Sequence, residues 1–304
     1  MRVTVDYPVS AAGYDPALLA PDGMRRVARA VEEAGLDAIA FTEHPAPSQR
    51  WLDAGGHEAL DVTAAMAFCA AVTERVRLMS YLLVLPYRNP FLTAKSVATV
   101  DVLSGGRATI VCGAGYMKSE FRALGVPFEE RNELFDEALE VLRGVWSTNP
   151  FAYAGRHFQA DGVAALPRPV QGPEGPPIWV GGNSARARRR AARHQGWSPL
   201  LIDGDLSRTT RTPALSTVEQ LATAVTELRE ITAAVRGEQT HIDVQVQTPH
   251  SGWLQNGGSA EEHRDHLGRL AHAGVTWFVV RLPAGSVEAA AEGAHRYGEL
   301  LART

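Results

Sequence analysis

Eight short apolar runs, each followed by a stretch with helical spacing, constrain this chain more than any other feature of its sequence. The runs fall at residues 3–7, 36–41, 76–85, 109–112, 178–180, 197–202, 242–248 and 275–282. The run at 109–112 lacks polar alternation, the pattern of a strand covered on both faces. Between them, residues 22–34 carry Met24, Val27, Ala28 and Val31 on one face and stop at Gly35. Residues 130–146 place apolar side chains at 134, 135, 138, 139, 142, 145 and 146, again one face. Asp61 or Thr63 opens an alanine-rich helix to about residue 73, and Asn89-Pro90 opens another that stops at Ser104-Gly105-Gly106. Helices are also predicted over 218–235, 261–273 and 287–302. Strand and helix alternating eight times predict an α/β fold, a (β/α)8 TIM barrel.

One segment breaks the alternation. Residues 149–177 are rich in Pro and Gly yet keep aromatics, and Tyr153-Ala154-Gly155-Arg156 reads as a hairpin turn. This predicts an insertion after the fourth βα unit of a single domain spanning 1–304. Residues 203–216 read as a polar loop. A chain of 304 residues with 45% hydrophobic and 21% charged residues is long enough for one such barrel. A net charge of −4 argues against nucleic-acid or anionic-membrane partners. Cys69 and Cys112 fit no metal or redox spacing and suggest a reducing compartment. The N-terminus enters a strand without a signal-peptide core, and apolar stretches such as 64–72 are too short for a bilayer. A cytoplasmic protein acting on a small molecule is the expectation.

Barrel function sits where strands end and βα loops begin, so residues distant in sequence are expected on one rim. Glu43 and His44 end the second strand, Gly113 to Tyr116 the fourth, and Gly181 to Ser184 the fifth. Gln245 and Gln247 lie late in the seventh and Arg281 late in the eighth. His44 on that rim suits general acid–base work; the plainer alternative is a loop histidine satisfied by one hydrogen bond. Gly113 and Gly115, directly after a buried strand, permit close backbone approach to a ligand. Gly181-Gly182-Asn183-Ser184 opens an arginine-rich helix and could hold a phosphate, or serve only as an N-cap. Arg186, Arg189, Arg190 and Arg193 share one side of that helix, and a polyanionic tail could use it, although a solvated face is the commoner meaning. Trp51 and His57 either line a pocket or cap the barrel. Strand one lacks a His-x-His, which disfavours a metal-dependent hydrolase; no metal ligands are expected.

Four linked motifs add to this: TEHPAP after the second strand, LPYRNPFLTAKSVATVDVLSGGR after the third, GAGYMKSEFRALGVPFEERNELFDEALEVLR after the fourth, and PPIWVGGNSARA at the fifth. Together, from Val3 to about Trp197, they resemble the luciferase-like monooxygenase superfamily, and within it the deazaflavin (coenzyme F420)-dependent oxidoreductases of actinobacterial type. The resemblance implies hydride transfer between F420, an 8-hydroxy-5-deazaflavin, and a small organic substrate. It implies a non-proline cis peptide in strand three at Ser80, Tyr81 and Leu82, under the cofactor ring. It puts the acidic-His pair on Glu43 and His44, the strand-four cofactor loop on Gly113, Gly115, Tyr116 and Ser119, and the phosphate turn on Gly181, Gly182, Asn183 and Ser184. A homodimer is implied as well. Two departures are Glu43, where many deazaflavin enzymes carry Asp, and the bulky Tyr81 at the bulge. The alternatives are an FMN-dependent monooxygenase using molecular oxygen and a non-catalytic flavin-binding relative.

Overall fold

The computed structural model describes residues 1–11 and 13–302. In chain order the strands and helices are β1 (Arg2–Asp6), α1 (Pro21–Glu33), β2 (Ala38–Phe41), α2 (Gln49–Asp53), α3 (Val62–Val72), β3 (Arg77–Ser80) and β4 (Leu83–Val84). Then follow α4 (Pro90–Leu103), β5 (Ala108–Gly113), α5 (Lys118–Ala123), α6 (Arg131–Ser147), β6 (Phe151–Ala154), β7 (Gln159–Val163) and β8 (Ile178–Gly181). The remainder is α7 (Ala185–Ala191), β9 (Gly196–Ser198), α8 (Gly204–Thr210), α9 (Val218–Arg236), β10 (Asp243–Val246), α10 (Trp253–Asn256), α11 (Ala260–His272), β11 (Trp277–Arg281) and α12 (Val287–Ala302). The fold is a (β/α)8 barrel, with β3 and β4 as two pieces of the third strand and β6–β7 as the insertion.

The chain divides into two compact units, residues 1–40 with those from 178 onward, and residues 41–177. In the first, parallel strands run in the order β2-β1-β11-β10-β9-β8. Their pleat sorts side chains to two faces. Phe278 meets the ring of His263 on α11, so it faces the helices, and Trp277, Val279 and Arg281 face the other way. On that other face Thr4 Oγ1 donates to Gln245 Oε1 (2.7 Å), and Gln245 Nε2 donates to Ser198 Oγ (3.2 Å). These buried polar groups satisfy one another, which removes the desolvation cost that an apolar surrounding would impose. The helical periodicity held: Met24, Val27, Ala28 and Val31 of α1 are all buried. Pro21 stands in the first turn, where no amide donor is needed, and Gly35 takes φ +73° just past the end.

In the second unit β3 and β4 each pair in parallel with β5. Asp61 caps α3, its carboxylate accepting from the Ala64 amide (3.0 Å), and Asn89 caps α4. Every predicted apolar position of α6 is buried. The insertion is the antiparallel hairpin β6–β7, with Ala154 opposite Gln159 around the predicted turn. Glu137 of α6 holds it, accepting from the amides of Arg156 (3.1 Å), His157 (3.0 Å) and Phe158 (3.3 Å).

Three expectations change. The third strand is broken after Ser80 and resumes at Leu83, because its middle turns away to bond elsewhere. Residues 203–216 are not all loop: 204–210 form α8. The sixth strand is only three residues long; beyond it Leu200 bridges to Gln247 and Ile202 to Leu215. No helix among the described residues is long and apolar enough to cross a membrane.

Candidate active site

The site is built around the end of β2. Tyr81 donates its amide to the Phe41 carbonyl (2.6 Å), and Ser80 Oγ donates to the Val111 carbonyl (2.7 Å). The Tyr81–Leu82 peptide is cis, at the expected place. From there Leu83 and Val84 pair with Cys112 and Gly113. The two glycines of the next loop fit against this bend. A Cβ on Gly113 would lie 2.8 Å from Leu82 Cδ1; one on Gly115, at φ +76°, would lie 2.6 Å from Val84 Cγ1.

Glu43 and His44 are consecutive but have different surroundings. Glu43 is 5% exposed. Its Oε2 accepts from the Val84 amide (2.5 Å) and its Oε1 from Arg88 Nε (2.7 Å); Arg88 also donates to Asp61 Oδ2 (2.9 Å). Burial pushes the Glu43 carboxyl up from its ordinary value, against the pull of the Arg88 guanidinium. His44, 10% exposed, faces Glu120 instead, with Nδ1 3.3 Å from Oε2.

Glu120 is the residue that sequence reasoning missed. It is 1% exposed, on α5. Oε2 also accepts from the Tyr87 hydroxyl (2.9 Å), and Oε1 accepts from the Ala46 amide (3.3 Å). The signal was present: Met117, Glu120 and Phe121 are spaced i, i+3, i+4, so an acid interrupts an apolar stripe. A carboxylate only accepts, so His44 Nδ1 carries the hydrogen of this bond; in the neutral imidazole Nε2 is then the nitrogen with the free lone pair. Burial and the Glu120 charge both raise the Tyr87 hydroxyl, keeping it a proton donor; the same two causes push Tyr116 up to about 12.

Aromatic rings surround His44. Trp51 lies 4.5 Å away between ring centroids, His57 5.0 Å and Tyr116 6.2 Å. Trp51 is held on the short helix α2, and His57 Nδ1 bonds the Glu58 carbonyl (2.8 Å). Ser119 sits in the first turn of α5, half-buried. The structure thus brings Glu43, His44, Ser80, Tyr81, Leu82, Gly113, Gly115, Tyr116 and Ser119 into one unit.

Gly181 to Ser184 lie in the other unit and are tied into their own neighbourhood. Gly181 ends β8, and Gly182, at φ +102°, donates to the Ser198 carbonyl (3.2 Å) and accepts from Trp197 Nε1 (2.8 Å). Asn183 donates its amide N–H to Thr212 Oγ1 (2.9 Å) and its side-chain nitrogen to the carbonyls of Leu200 (2.8 Å) and Pro213 (2.9 Å). Its side-chain oxygen accepts from the Leu200 amide (2.9 Å). Ser184 caps α7, accepting from the Ala187 amide (3.1 Å). Arg188 is engaged with Glu227 (2.7 Å) and the Asn183 carbonyl (2.9 Å), while Arg186, Arg189 and Arg193 are exposed.

This chain belongs to the luciferase-like monooxygenase family, whose model matches residues 3–277. It is 32% identical over 184 residues to the FMNH2-dependent dimethylsulfone monooxygenase of Pseudomonas putida, a match covering 58% of this chain and 47% of that protein. The chain thus matches about half the length of that curated relative. Solved structures share its fold, two of them as follows. A monooxygenase from Streptomyces bottropensis superposes with a TM-score of 0.78 at 20% identity, covering 100% of this chain and 99% of that one. The coenzyme F420-dependent tetrahydromethanopterin reductase of Methanopyrus kandleri gives 0.71 at 17%, covering 98% and 97%.

Proposed function

We propose that this protein is an oxidoreductase that transfers a hydride between coenzyme F420 and a small organic substrate, with His44 handling the accompanying proton. The observation that carries this reading is the buried carboxylate of Glu120, which orients His44 at the end of β2 beside the cis-bent segment 80–82. The donor set fits a planar ring cofactor. The Leu82 side chain packs against Gly113 and those of Val84 and Phe121 against Gly115, and Tyr116, kept protonated, is available as a hydrogen-bond donor. Ser80, Tyr81, Leu82, Gly113, Gly115, Tyr116 and Ser119 would hold the ring; Gly181, Gly182, Asn183 and Ser184, taken within their own unit, are a proposed phosphate turn whose Gly182 and Asn183 amides already bond Ser198 and Thr212. Bound F420 supplies hydride transfer, because it has carbon where a flavin has N5.

The chain's own contribution is orientation and one proton. Glu120 fixes the imidazole so that Nε2 accepts or returns a proton, and Tyr87 and the Ala46 amide keep the Glu120 carboxylate in place. Glu43 joins in as a positioning residue, its pair with Arg88 holding the peptide that carries His44 against Val84. We further propose a cytoplasmic homodimer.

A second reading, an FMN-dependent monooxygenase, is favoured by the identity to the Pseudomonas putida enzyme. Titrating the apo-protein with FMN and with F420 of different oligoglutamate tail lengths, at low and high salt, separates the two. F420 is expected to bind more tightly. Longer tails should gain a modest advantage from Arg186, Arg189 and Arg193 that fades as salt screens it. Tighter binding of FMN would put the monooxygenase reading first, and equal affinity for all tail lengths would leave the arginines to the solvent.

A further inference from the structure

Two buried polar atoms at the carboxyl ends of neighbouring strands have no hydrogen-bond partner among the described residues: Asp6 Oδ1 and Arg281 Nε. Asp6 is the last residue of β1 and Arg281 the last of β11, and the parallel register sets them side by side. Both follow the pleat of Thr4 and Val279, so both belong to the face that carries the Thr4–Gln245–Ser198 chain and looks away from α11. Asp6 is only 4% exposed. Its other oxygen accepts from Ser10 Oγ (2.8 Å), which fixes the carboxyl plane. A native interior seldom leaves such atoms unmet, since each costs the desolvation of a polar group. Here a carboxylate acceptor and a guanidinium donor stand unmet together, at the strand ends where a barrel of this type binds its ligands.

We propose that Asp6 and Arg281 form a recognition subsite for a neutral group that presents a hydrogen-bond donor next to a carbonyl acceptor, of the carboxamide type. The donor would meet Asp6 Oδ1 and the carbonyl would accept from Arg281 Nε–H. This deepens the proposed function by naming a substrate class, and it rests on the reading of this chain as an enzyme of small organic molecules. Opposite charges on the two side chains leave the subsite neutral overall, which disfavours a simple anion or cation. Burial pushes the Asp6 carboxyl up to about 6, with Ser10 and Arg281 opposing, so near neutral pH it remains an acceptor.

The test is a ligand-observed NMR titration of the full chain with two probes of one size, benzamide and acetophenone, with no cofactor added. Binding without turnover keeps the outcome independent of whether F420 or FMN is used. Wild type should bind benzamide about tenfold more tightly than acetophenone, the worth of one buried charge-assisted hydrogen bond. Asp6→Ala should abolish that preference while leaving acetophenone within about twofold of wild type. Arg281→Met should weaken both probes, since both present a carbonyl. Should Asp6→Ala fail to fold, Asp6→Asn keeps the side-chain shape and should reduce the preference to below about threefold, because the charge is gone. Equal affinity for the two probes in wild type would overturn the proposal and leave water as the partner of both atoms. So would a benzamide preference that stays at about tenfold in the Asp6 variants.

Discussion

Replacing Arg88 with Met removes the guanidinium that hydrogen-bonds Glu43 and leaves the carboxylate buried. The Glu43 side chain is 3% exposed and that of Arg88 26%. Breaking a buried pair from one side costs about 3–5 kcal/mol, because the remaining charge is left uncompensated. Glu43 keeps its bond from the Val84 amide and Arg88 is partly solvated, so the lower end applies, about 3 kcal/mol. At roughly 2 °C per kcal/mol for a chain of this size, the melting temperature should fall by about 6 °C near pH 8. Acid should soften the loss. Burial already raises the Glu43 carboxyl, and without Arg88 it rises further. A carboxyl raised in the folded state favours folding below its unfolded value and loses that contribution as pH climbs through the folded value. The difference between Arg88→Met and wild type should therefore be smaller near pH 5.5 than near pH 8. Calorimetry at both pH values on wild type, Arg88→Met, Glu43→Gln and the double variant measures this. The double variant should recover more than half of the loss. A drop below about 2 °C near pH 8, or one no larger there than near pH 5.5, would refute the idea that Arg88 compensates a buried charge.

His44→Ala should lower turnover by roughly 10²–10⁴-fold if His44 moves the proton, with cofactor affinity unchanged within about tenfold. Glu120→Gln, which keeps the shape but lets the group donate, should give a smaller loss in the same steady-state assay and shift its pH profile. His263 and His266 are buried, bonded to Tyr297 (2.9 Å) and Thr248 (3.1 Å), and burial and the His250 charge hold both down to about 4. Their folded values lie below the ordinary 6.5, so the unfolded chain binds protons first and stability is lost as pH falls from about 6.5 toward 4. Denaturant melts should show a decline on the order of 2 kcal/mol over that window, flattened in His263→Gln/His266→Gln.

The barrel was legible because the longer helices such as α1 and α6 carry their burial on a regular period and strands such as β2, β5 and β8 are largely apolar. The predicted stripe of α6 and the boundaries of α12, residues 287–302, match what is seen. Elements settled by tertiary bonding were not legible. The third strand breaks because Tyr81 turns its amide to Phe41, and no local propensity announces that; only the resemblance placed the cis bond. Helix α8 was hidden by its polar composition, Asp203 to Thr212 offering no apolar stripe. In the site, His44 could be found from its strand end, but which carboxylate it meets could not. Sequence adjacency favours Glu43, yet just past the end of β2 the two consecutive side chains go to different partners, one to Arg88 and Val84, the other to Glu120. Asp6 was just as hidden, since a strand-terminal acid beside tyrosine carries no motif.

The central claim is that Glu120 orients His44, and nitrogen NMR of the imidazole tests it without any substrate. In protein labelled with 15N at histidine, the two ring nitrogens have separate shifts for the protonated, pyrrole-like and the bare, pyridine-like state. For the neutral imidazole the account predicts that His44 Nδ1 is pyrrole-like and Nε2 pyridine-like, and that Glu120→Gln, but not Glu43→Gln, disturbs this assignment. A His44 protonated at Nε2, or a tautomer indifferent to Glu120→Gln, would contradict it.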